Sequence, residues 1–237
     1  MTTEWTERTE LLLGADKMER LKKAHILIVG TGGVGAYAAE MLARAGVGKL
    51  TLLDADKVQL SNLNRQVIAL HSTLGEDKVR VLERRLKDVN PDLNVTARAE
   101  FLEEGSVKTL LTENKFDFVV DAIDTIAPKC ALIMEAMRLK VPIVSSMGAG
   151  AKTDVTQIRF ADLWSTYHCG LSKAVRTRLK KEKMQRPLPV VFCTQQADMN
   201  AVVKVEGERN KKTTTGTVSY MPAVFGCYLA QYVISNL

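Results

Sequence analysis

One stretch decides the fold of this chain: His25-Ile-Leu-Ile-Val-Gly30-Thr-Gly32-Gly33-Val-Gly35. Its apolar beginning predicts a buried strand, and residues 33–46 carry apolar side chains at helical spacing. The glycines between them match the G-x-G-x-x-G pattern of a phosphate-binding strand–turn–helix unit. Gly30 permits a tight turn, Gly32 lets the backbone approach a phosphate, and Gly35 lets the helix pack closely on the sheet.

Strand and helix patterns alternate outward from this unit. Further strands are predicted at 50–54, 94–98, 116–121 and 141–145, and helices at 77–89, 107–111 and 126–139. We interpret the strand at 141–145 as the last parallel one. This β–α alternation predicts an α/β fold with a Rossmann-like, doubly wound and mainly parallel sheet.

The second half of the chain has a different pattern. Strands are predicted at 155–162 and 190–194, a basic helix at 171–185, a mobile polar loop at 206–217 and a closing helix at 219–237. These elements form an added C-terminal mixed α/β portion. Because no repeat or linker interrupts the sequence, we expect one domain over 1–237, with a nucleotide-binding half at about 24–150 and a substrate half at about 151–237.

Composition and charge exclude several classes of protein. Apolar runs fall short of the roughly 18 residues that span a bilayer, and the polar N-terminal segment is unlike a signal peptide. We therefore expect a soluble cytoplasmic protein with no membrane partner. The net charge of +6 and the pI near 9.1 permit nucleic-acid binding. The four cysteines form no C-x-x-C pair, so neither a zinc ribbon nor a thioredoxin-type site is predicted.

The charges near the glycine-rich turn narrow the choice of nucleotide. Asp54 ends the second predicted strand, where an acid typically holds a ribose hydroxyl. The turn alone is typical of NAD or FAD, but Asn62, Arg65 and Lys78 could converge on the longer phosphate tail of ATP. Asp124 follows another strand and could hold Mg²⁺. A dehydrogenase needs none of this set. We expect Lys78 to lie on the surface at a helix start.

Together these residues resemble the ThiF/MoeB superfamily of adenylating enzymes. The similarity is carried by the glycine-rich turn and by Leu53-Asp54-Ala-Asp56, Leu60-Ser-Asn-Leu-Asn-Arg65-Gln66, Gly75-Glu-Asp-Lys78, Asn90-Pro91 and Asp121-Ala-Ile-Asp124. The resemblance implies ATP and Mg²⁺ as cofactors. It implies an ATP site formed by Gly30, Gly32, Gly33, Gly35, Asp54, Asp56, Asn62, Arg65, Gln66 and Lys78.

The same resemblance implies catalytic roles and an assembly. Arg8, Arg65, Lys78 and Asp124 would be the catalytic residues, with Asp124 also the metal ligand. Arg8 matches an N-terminal arginine that reaches into the ATP site of a partner subunit, which implies a homodimer.

Finer similarity points to the tRNA threonylcarbamoyladenosine dehydratases. It lies in Arg8-Thr-Glu-Leu-Leu-Leu-Gly14, Pro128-Lys129, Gly148-Ala-Gly150 and Gly216-Thr-Val-Ser-Tyr-Met-Pro. It implies that threonylcarbamoyladenosine (t6A) at tRNA position 37 is cyclised to a hydantoin through an adenylated carboxylate. Some members carry a cysteine before the last helix, where this chain has Lys211 and its neighbours. A cysteine relay is therefore disfavoured, although a sulfur-relay protein stays open as a partner.

Two other functions are weighed against this one. Enzymes that adenylate the C-terminal glycine of a ubiquitin-like sulfur carrier usually carry two C-x-x-C zinc pairs, which this sequence lacks. A nucleotide-binding module without catalysis would not need the phosphate- and metal-binding residues together.

A basic tract offers a surface for tRNA. Helical spacing places Lys173, Arg176, Lys180 and Lys183 roughly on one face, and several such cations give sequence-independent affinity for phosphates. The predicted tRNA-binding residues are Lys173, Arg176, Arg178, Lys180 and Lys183, with a second patch at Arg209, Lys211 and Lys212. A solvated helix face and an acidic carrier protein remain alternatives.

Overall fold

The structure, a computed structural model, describes residues 4–204 and 213–237. The strands of its main sheet are β1 (His25–Val29), β2 (Lys49–Leu53), β3 (Asn94–Arg98), β4 (Phe118–Asp121), β5 (Ile143–Ser146), β6 (Ile158–Asp162) and β7 (Pro189–Cys193). They lie in the order β3-β2-β1-β4-β5-β7-β6. Neighbours pair in parallel from β3 through to β7, and β6 pairs with β7 antiparallel.

Helices cover both faces of this sheet. They are α1 (Glu7–Leu13), α2 (Ala15–Lys23), α3 (Gly35–Arg44), α4 (Lys78–Val89), α5 (Val107–Glu113), α6 (Ile126–Leu139), α7 (Gly170–Lys181) and α8 (Tyr220–Asn236). Ile26 and Ile28 of β1 belong to a core shared with α3, α4 and α8. Leu27 and Val29 belong to a second core with α5, α6 and α7. Successive side chains of a strand point to opposite faces, so β1 anchors two cores, and the doubly wound, mainly parallel α/β fold is confirmed.

The strand order reverses beside β1, since the chain adds β2 and β3 on one side and β4 on the other. Ligands of open α/β sheets bind at this switch point, beyond the carboxyl ends of the strands. Gly30, Asp54 and Ala122 directly follow β1, β2 and β4 at that edge. The predicted site residues are therefore brought to one end of the sheet.

The last helix ties the second half of the chain to the glycine-rich turn. A Cβ at Gly226 of α8 would lie 2.4 Å from the carbonyl oxygen of Val34 and 2.7 Å from Cβ of Tyr37. This spacing requires glycine, because any side chain would push α8 away from the start of α3. The position of α3, and with it the turn, thus depends on α8.

Two predicted strands and the predicted basic helix differ from those observed. The strand at 141–145 is not the last parallel one, because β7 continues the sheet parallel to β5. The first part of the strand at 155–162 is a 3-10 turn over Val155–Gln157, which the Asp154 side chain caps. The basic helix ends at Lys181 rather than near 185, and Lys183 has a left-handed φ of 54°.

The loop predicted at 206–217 is partly wrong. Thr213–Thr215 forms a strand, β9, which pairs antiparallel with β8 (Val202–Lys204). Residues 205–212, with Arg209, Lys211 and Lys212, lie outside the described residues. Within the described ranges, no helix is long and apolar enough to cross a membrane.

Candidate active site

The glycine-rich turn joins β1 to α3 and leaves backbone accessible. A Cβ at Gly35 would lie 1.8 Å from the carbonyl oxygen of Gly30, so only glycine fits where the helix begins. At Gly32 an added Cβ would meet only the Gln66 side chain, at 3.5 Å. The backbone at Gly32 is therefore approachable, and the N-terminus of α3 adds a partial positive charge that attracts an anion.

Gln66 supplies a second feature that fits a nucleotide. Its side chain is buried, and its Oε1 has no hydrogen-bond partner among the residues the structure describes. A buried acceptor without a partner favours a ligand that brings an N–H or O–H donor. A nucleotide would meet both needs, since its phosphates suit the turn and its polar groups can donate to Gln66.

The Asp54 carboxylate connects this turn to the next loop. One oxygen accepts hydrogen bonds from the backbone N and the Oγ1 of Thr31, at 2.6 and 3.1 Å. The other oxygen accepts from the backbone N of Asp56 at 2.8 Å. An ionised carboxylate has about four lone-pair sites, so Asp54 can still accept from a ribose hydroxyl. That role stays a prediction.

Lys78 does not lie on the surface, and the expectation that it does is wrong. Its side chain is only 6% exposed, and its Nζ lies 2.6 Å from Oδ2 of Asp56. Its backbone N also donates to the carbonyl oxygen of Asp56 at 3.0 Å. The loop between β2 and α4 folds over the helix start, which the sequence pattern does not reveal. The ammonium group is thus held in place by the loop that Asp54 organises.

The segment at 60–66 packs beside the glycine-rich turn. Asn62 is buried, and its Oδ1 accepts a backbone N–H from Gln59 at 3.0 Å. Arg65 bends over its own loop, since Nη1 donates to the carbonyl oxygen of Ser61 and to Oδ1 of Asn64, both at 2.8 Å. The carbonyl oxygen of Arg65 would lie 3.4 Å from a Cβ at Gly33, so the structure brings this segment beside the glycine-rich turn.

A buried ion pair supports the loop that carries Asp124. Lys129 and Asp121 are both fully buried, and Lys129 Nζ lies 2.8 Å from Oδ2 of Asp121. The same amine donates to the carbonyl oxygens of Ile123 at 3.0 Å and Ser146 at 2.8 Å. Lys129 therefore joins the end of β4, the following loop and β5. Asp124 lies on that loop with an exposed side chain.

Sequence reasoning assigned no role to Lys129, although a signal was present. Leu132, Ile133 and Ala136 stand three, four and seven residues after it and form an apolar helix face. A lysine on such a face needs a buried anionic partner, and Asp121 ends the preceding strand.

No group of three or more metal-ligating side chains occurs in the described part of the chain.

Arg8 lies at the opposite end of the sheet from the turn. Arg8 is exposed on α1 and stands two residues after Thr6. Thr6 packs against Gly46, since its Cγ2 lies 3.8 Å from the position that a Cβ of Gly46 would occupy. Gly46 precedes β2 and so marks the amino ends of the strands. The structure therefore does not bring Arg8 to the ATP-site residues of its own chain.

A cavity of about 610 Å³ opens between the 60–66 segment and the start of α8. Asn64 spans this gap, because its Nδ2 donates to the carbonyl oxygen of Thr217 at 2.9 Å. Lys152 is a buried lining residue whose Nζ donates to the carbonyl oxygen of Cys193 at 2.6 Å. Burial lowers the pKa of the Lys152 amine. The other lining residues are Ala151, Thr153, Gln195, Asp198, Ala201, Gly216, Val218 and Ser219.

Lys173, Arg176 and Lys180 keep their helical spacing on α7, but the expected basic face is interrupted, because Arg176 is half-buried and Lys183 lies beyond the helix end. Arg176 folds inward, and its Nη1 donates to the carbonyl oxygens of Leu163 at 3.2 Å and Thr166 at 2.9 Å. These hydrogen bonds tie Arg176 to the 163–166 segment of its own chain. Lys180 Nζ lies 6.0 Å from the ring centroid of Trp164, and Lys183 comes after the helix end.

Arg178 has two acidic partners, so its charge is partly balanced. It lies 3.8 Å from Glu104 and 3.5 Å from Glu182. The pairing with Glu104 could not be predicted from the sequence, because Glu104 is distant along the chain and approaches α7 only through tertiary packing.

Comparisons with known proteins cover the whole described fold. The model of the ThiF family matches residues 7–237. The tRNA threonylcarbamoyladenosine dehydratase of Bacillus subtilis is 36% identical over 241 residues, which cover 97% of this chain and 93% of that protein. The crystal structure of E. coli tRNA N6-threonylcarbamoyladenosine dehydratase, TcdA, in complex with ATP gives a TM-score of 0.88 at 33% identity, over 98% of this chain and 93% of that one. The molybdopterin-synthase adenylyltransferase of Escherichia coli is 37% identical over 154 residues, which cover 65% of this chain and 61% of that protein.

Removing the lysine of the buried ion pair should destabilise the fold. Lys129→Met leaves the Asp121 carboxylate buried and unpaired, so we expect a loss of about 3–5 kcal/mol in the free energy of unfolding. Denaturant unfolding measures this loss. The double change Lys129→Met with Asp121→Asn should recover part of it, and Lys108→Met on the surface of α5 should change stability by less than about 0.5 kcal/mol. A Lys129→Met protein as stable as wild type would contradict the structural role of the pair.

Removing the Lys78 amine should abolish adenylate formation. Lys78→Ala should lower the rate of ATP–pyrophosphate exchange by about 10²–10³, the usual effect of deleting one transition-state donor. The fold should persist, because Asp56 is 70% exposed and stays hydrated without its partner.

Lys57→Ala is the matched control for this measurement. Lys57 stands in the same loop, is 67% exposed and lies 3.9 Å from Asp77. Its variant should exchange pyrophosphate at the wild-type rate. Equal rates for the Lys78 and Lys57 variants would remove Lys78 from the mechanism.

Proposed function

This chain belongs to the ThiF family, and from that membership we propose that it is an ATP-dependent tRNA threonylcarbamoyladenosine dehydratase. The observation that carries the proposal is that its similarity to such dehydratases extends through the substrate half as well as the nucleotide half. The enzyme cyclises t6A at tRNA position 37 to its hydantoin form. We expect it to act in the cytoplasm, on tRNA.

The reaction proceeds in two steps, adenylation of the carboxylate and closure of the ring. A carboxylate oxygen of the t6A side chain attacks the α-phosphorus of ATP, and the bond to the β-phosphate breaks as pyrophosphate leaves. The exocyclic adenine nitrogen of the same group then attacks the adenylated carbonyl carbon. AMP leaves with the electron pair, the nitrogen loses its proton to solvent, and a five-membered ring closes. Because both reacting groups belong to one substituent, proximity supplies much of the acceleration.

The residues at the carboxyl edge of the sheet would hold ATP for the first step. Asp54 would accept from the ribose, while Asn62, Arg65, Gln66 and Lys78 would contact the polar groups and the phosphates. The positive charges stabilise the negative charge that develops as pyrophosphate departs. Among the described residues, the Arg65 guanidinium bonds only groups of its own loop, so it can exchange these contacts for phosphate oxygens.

Asp124 would hold Mg²⁺ together with phosphate oxygens and water. Its exposed carboxylate stands on the loop that Lys129 and Asp121 hold rigid. A single protein carboxylate suits this ion, which keeps several water ligands and binds through substrate phosphates. When bound, Mg²⁺ neutralises phosphate charge.

The cavity beside Asn64 would receive the modified base. It lies between Asn64, on the segment that carries Arg65, and residues of the second half that precede α8. In this proposal residues 24–150 bind ATP, residues 151–237 bind the tRNA, and both belong to one domain. A sulfur-relay protein stays a prediction as a further partner.

Arg8 would serve the site of a second subunit in a homodimer. Its position at the amino end of the sheet separates it from its own glycine-rich turn. Leu11 and Leu12, on the same helix, are 81% and 83% exposed. Two adjacent leucines this exposed support the proposal that a partner subunit covers this helix.

The alternative substrate is a ubiquitin-like sulfur carrier. Against it stand the absence of C-x-x-C pairs from the sequence and the shorter match to the adenylyltransferase. With ATP and tRNA carrying t6A, we expect hydantoin nucleoside, AMP and pyrophosphate in equal amounts, measured by nucleoside mass spectrometry and a pyrophosphate assay. Pyrophosphate release with a carrier protein and none with tRNA would favour the alternative.

Complementation between two inactive variants tests Arg8. We expect Arg8→Ala and Lys78→Ala chains to be inactive separately. After subunit exchange, the heterodimer has one site with both residues intact, so hydantoin formation should partly return. If exchange is verified by mixed tags and no activity returns, Arg8 does not act across a subunit interface.

A further inference from the structure

A groove between α6 and α7 lies next to the loop of Asp124. It has a volume of about 430 Å³. Ile126, the first residue of α6 and two residues after Asp124, lines one side and is 46% exposed. The α7 side presents two rows at i, i+4 spacing, in which Gly170 and Ala174 give a small apolar floor and Lys173, Thr177 and Lys181 form the rim.

The groove is cationic, whereas its floor is apolar. Lys173 and Lys181 are exposed, and neither forms an ion pair with a described residue. Arg178 also lines the groove but shares its charge with Glu104 and Glu182. No acidic residue is among those that line it. The two lysines stand eight positions apart, on the order of 12 Å along the helix, so they can contact different phosphate groups.

These features divide the cations of α7 between two sides. Arg176 and Lys180 contact the 163–166 segment. Lys173 and Lys181 belong to the groove that leads towards Asp124. The groove side, rather than the whole basic helix, is therefore placed to hold a polyanion whose reacting group enters the active site.

We infer that this groove binds single-stranded RNA of the tRNA anticodon loop next to the modified base, with Lys173 and Lys181 on its phosphates and a base against Ile126 and Ala174. The inference rests on the proposed function. Single-stranded RNA combines apolar base faces with anionic phosphates, which matches an apolar floor between cations. An extended acidic peptide fits less well, because it binds by adding a strand to a sheet edge, and none of the described residues that line this groove belongs to a strand.

The test compares three double variants that each remove two positive charges. Lys173→Gln with Lys181→Gln should weaken the binding of a t6A-containing anticodon stem-loop at least tenfold. It should also reduce the slope of log affinity against log salt by about 1.4, the value for two single-strand phosphate contacts. Lys180→Gln with Lys183→Gln should have a smaller effect. Lys108→Gln with Lys115→Gln, two exposed lysines on and just after α5, should leave binding unchanged.

Two further measurements separate the groove from general damage. ATP affinity by calorimetry should be the same in all three doubles. Ala174→Leu adds apolar volume to the floor without changing charge, so it should raise the KM for the stem-loop while leaving the salt slope at the wild-type value.

The outcomes distinguish this inference from the proposed function. If wild-type protein does not cyclise t6A, the proposed function fails. If wild type is active but the Lys173 and Lys181 double binds the stem-loop normally, or no more weakly than the Lys180 and Lys183 double, the groove assignment fails alone. Loss of carrier-protein adenylation instead of RNA binding would assign the groove to an acidic protein and overturn the inference.

Discussion

The active site depends on one carboxylate, that of Asp54, which joins the glycine-rich turn to the loop that positions Lys78. Asp54 holds Thr31 with one oxygen and the backbone of Asp56 with the other, and Asp56 pairs with Lys78 at 2.6 Å. The phosphate-binding backbone and the buried ammonium group are thereby fixed relative to each other before a ligand arrives. Such preorganisation is the main source of electrostatic catalysis, because no reorganisation is needed when charge develops.

A second buried contact does the same for the loop that carries Asp124. Lys129 and Asp121 are fully buried and joined at 2.8 Å, although a buried ion pair adds little net stability over an apolar pair of the same shape. Its value here is positional: the amine also binds two carbonyl oxygens, on the Asp124 loop and at the end of β5. Asp54 and Lys129 thus support the two sides of the crevice at the carboxyl ends of β1 and β4.

The two halves of the chain are linked beside the glycine-rich turn. Gly226 seats α8 against the start of α3, and Asn64 bonds the backbone at Thr217. A shift of the C-terminal half would therefore move the glycine-rich turn as well. The α7 groove lies next to this arrangement, since Ile126, two residues after Asp124, lines it. Its rim carries Lys173 and Lys181.

The sequence by itself determined the doubly wound sheet, the glycine-rich turn and the grouping of Asp54, Asn62, Arg65 and Lys78 at one edge, because side-chain periodicity and glycine spacing are local signals. Only the tertiary structure decided the direction of β7, the burial of Lys78 and the pairing of Lys129 with Asp121. It also showed that Arg176 hydrogen-bonds the 163–166 turn and that Arg178 forms an ion pair with Glu104. The physical reason is that a charged side chain is defined by its partners, and residues distant in sequence meet only when the chain packs.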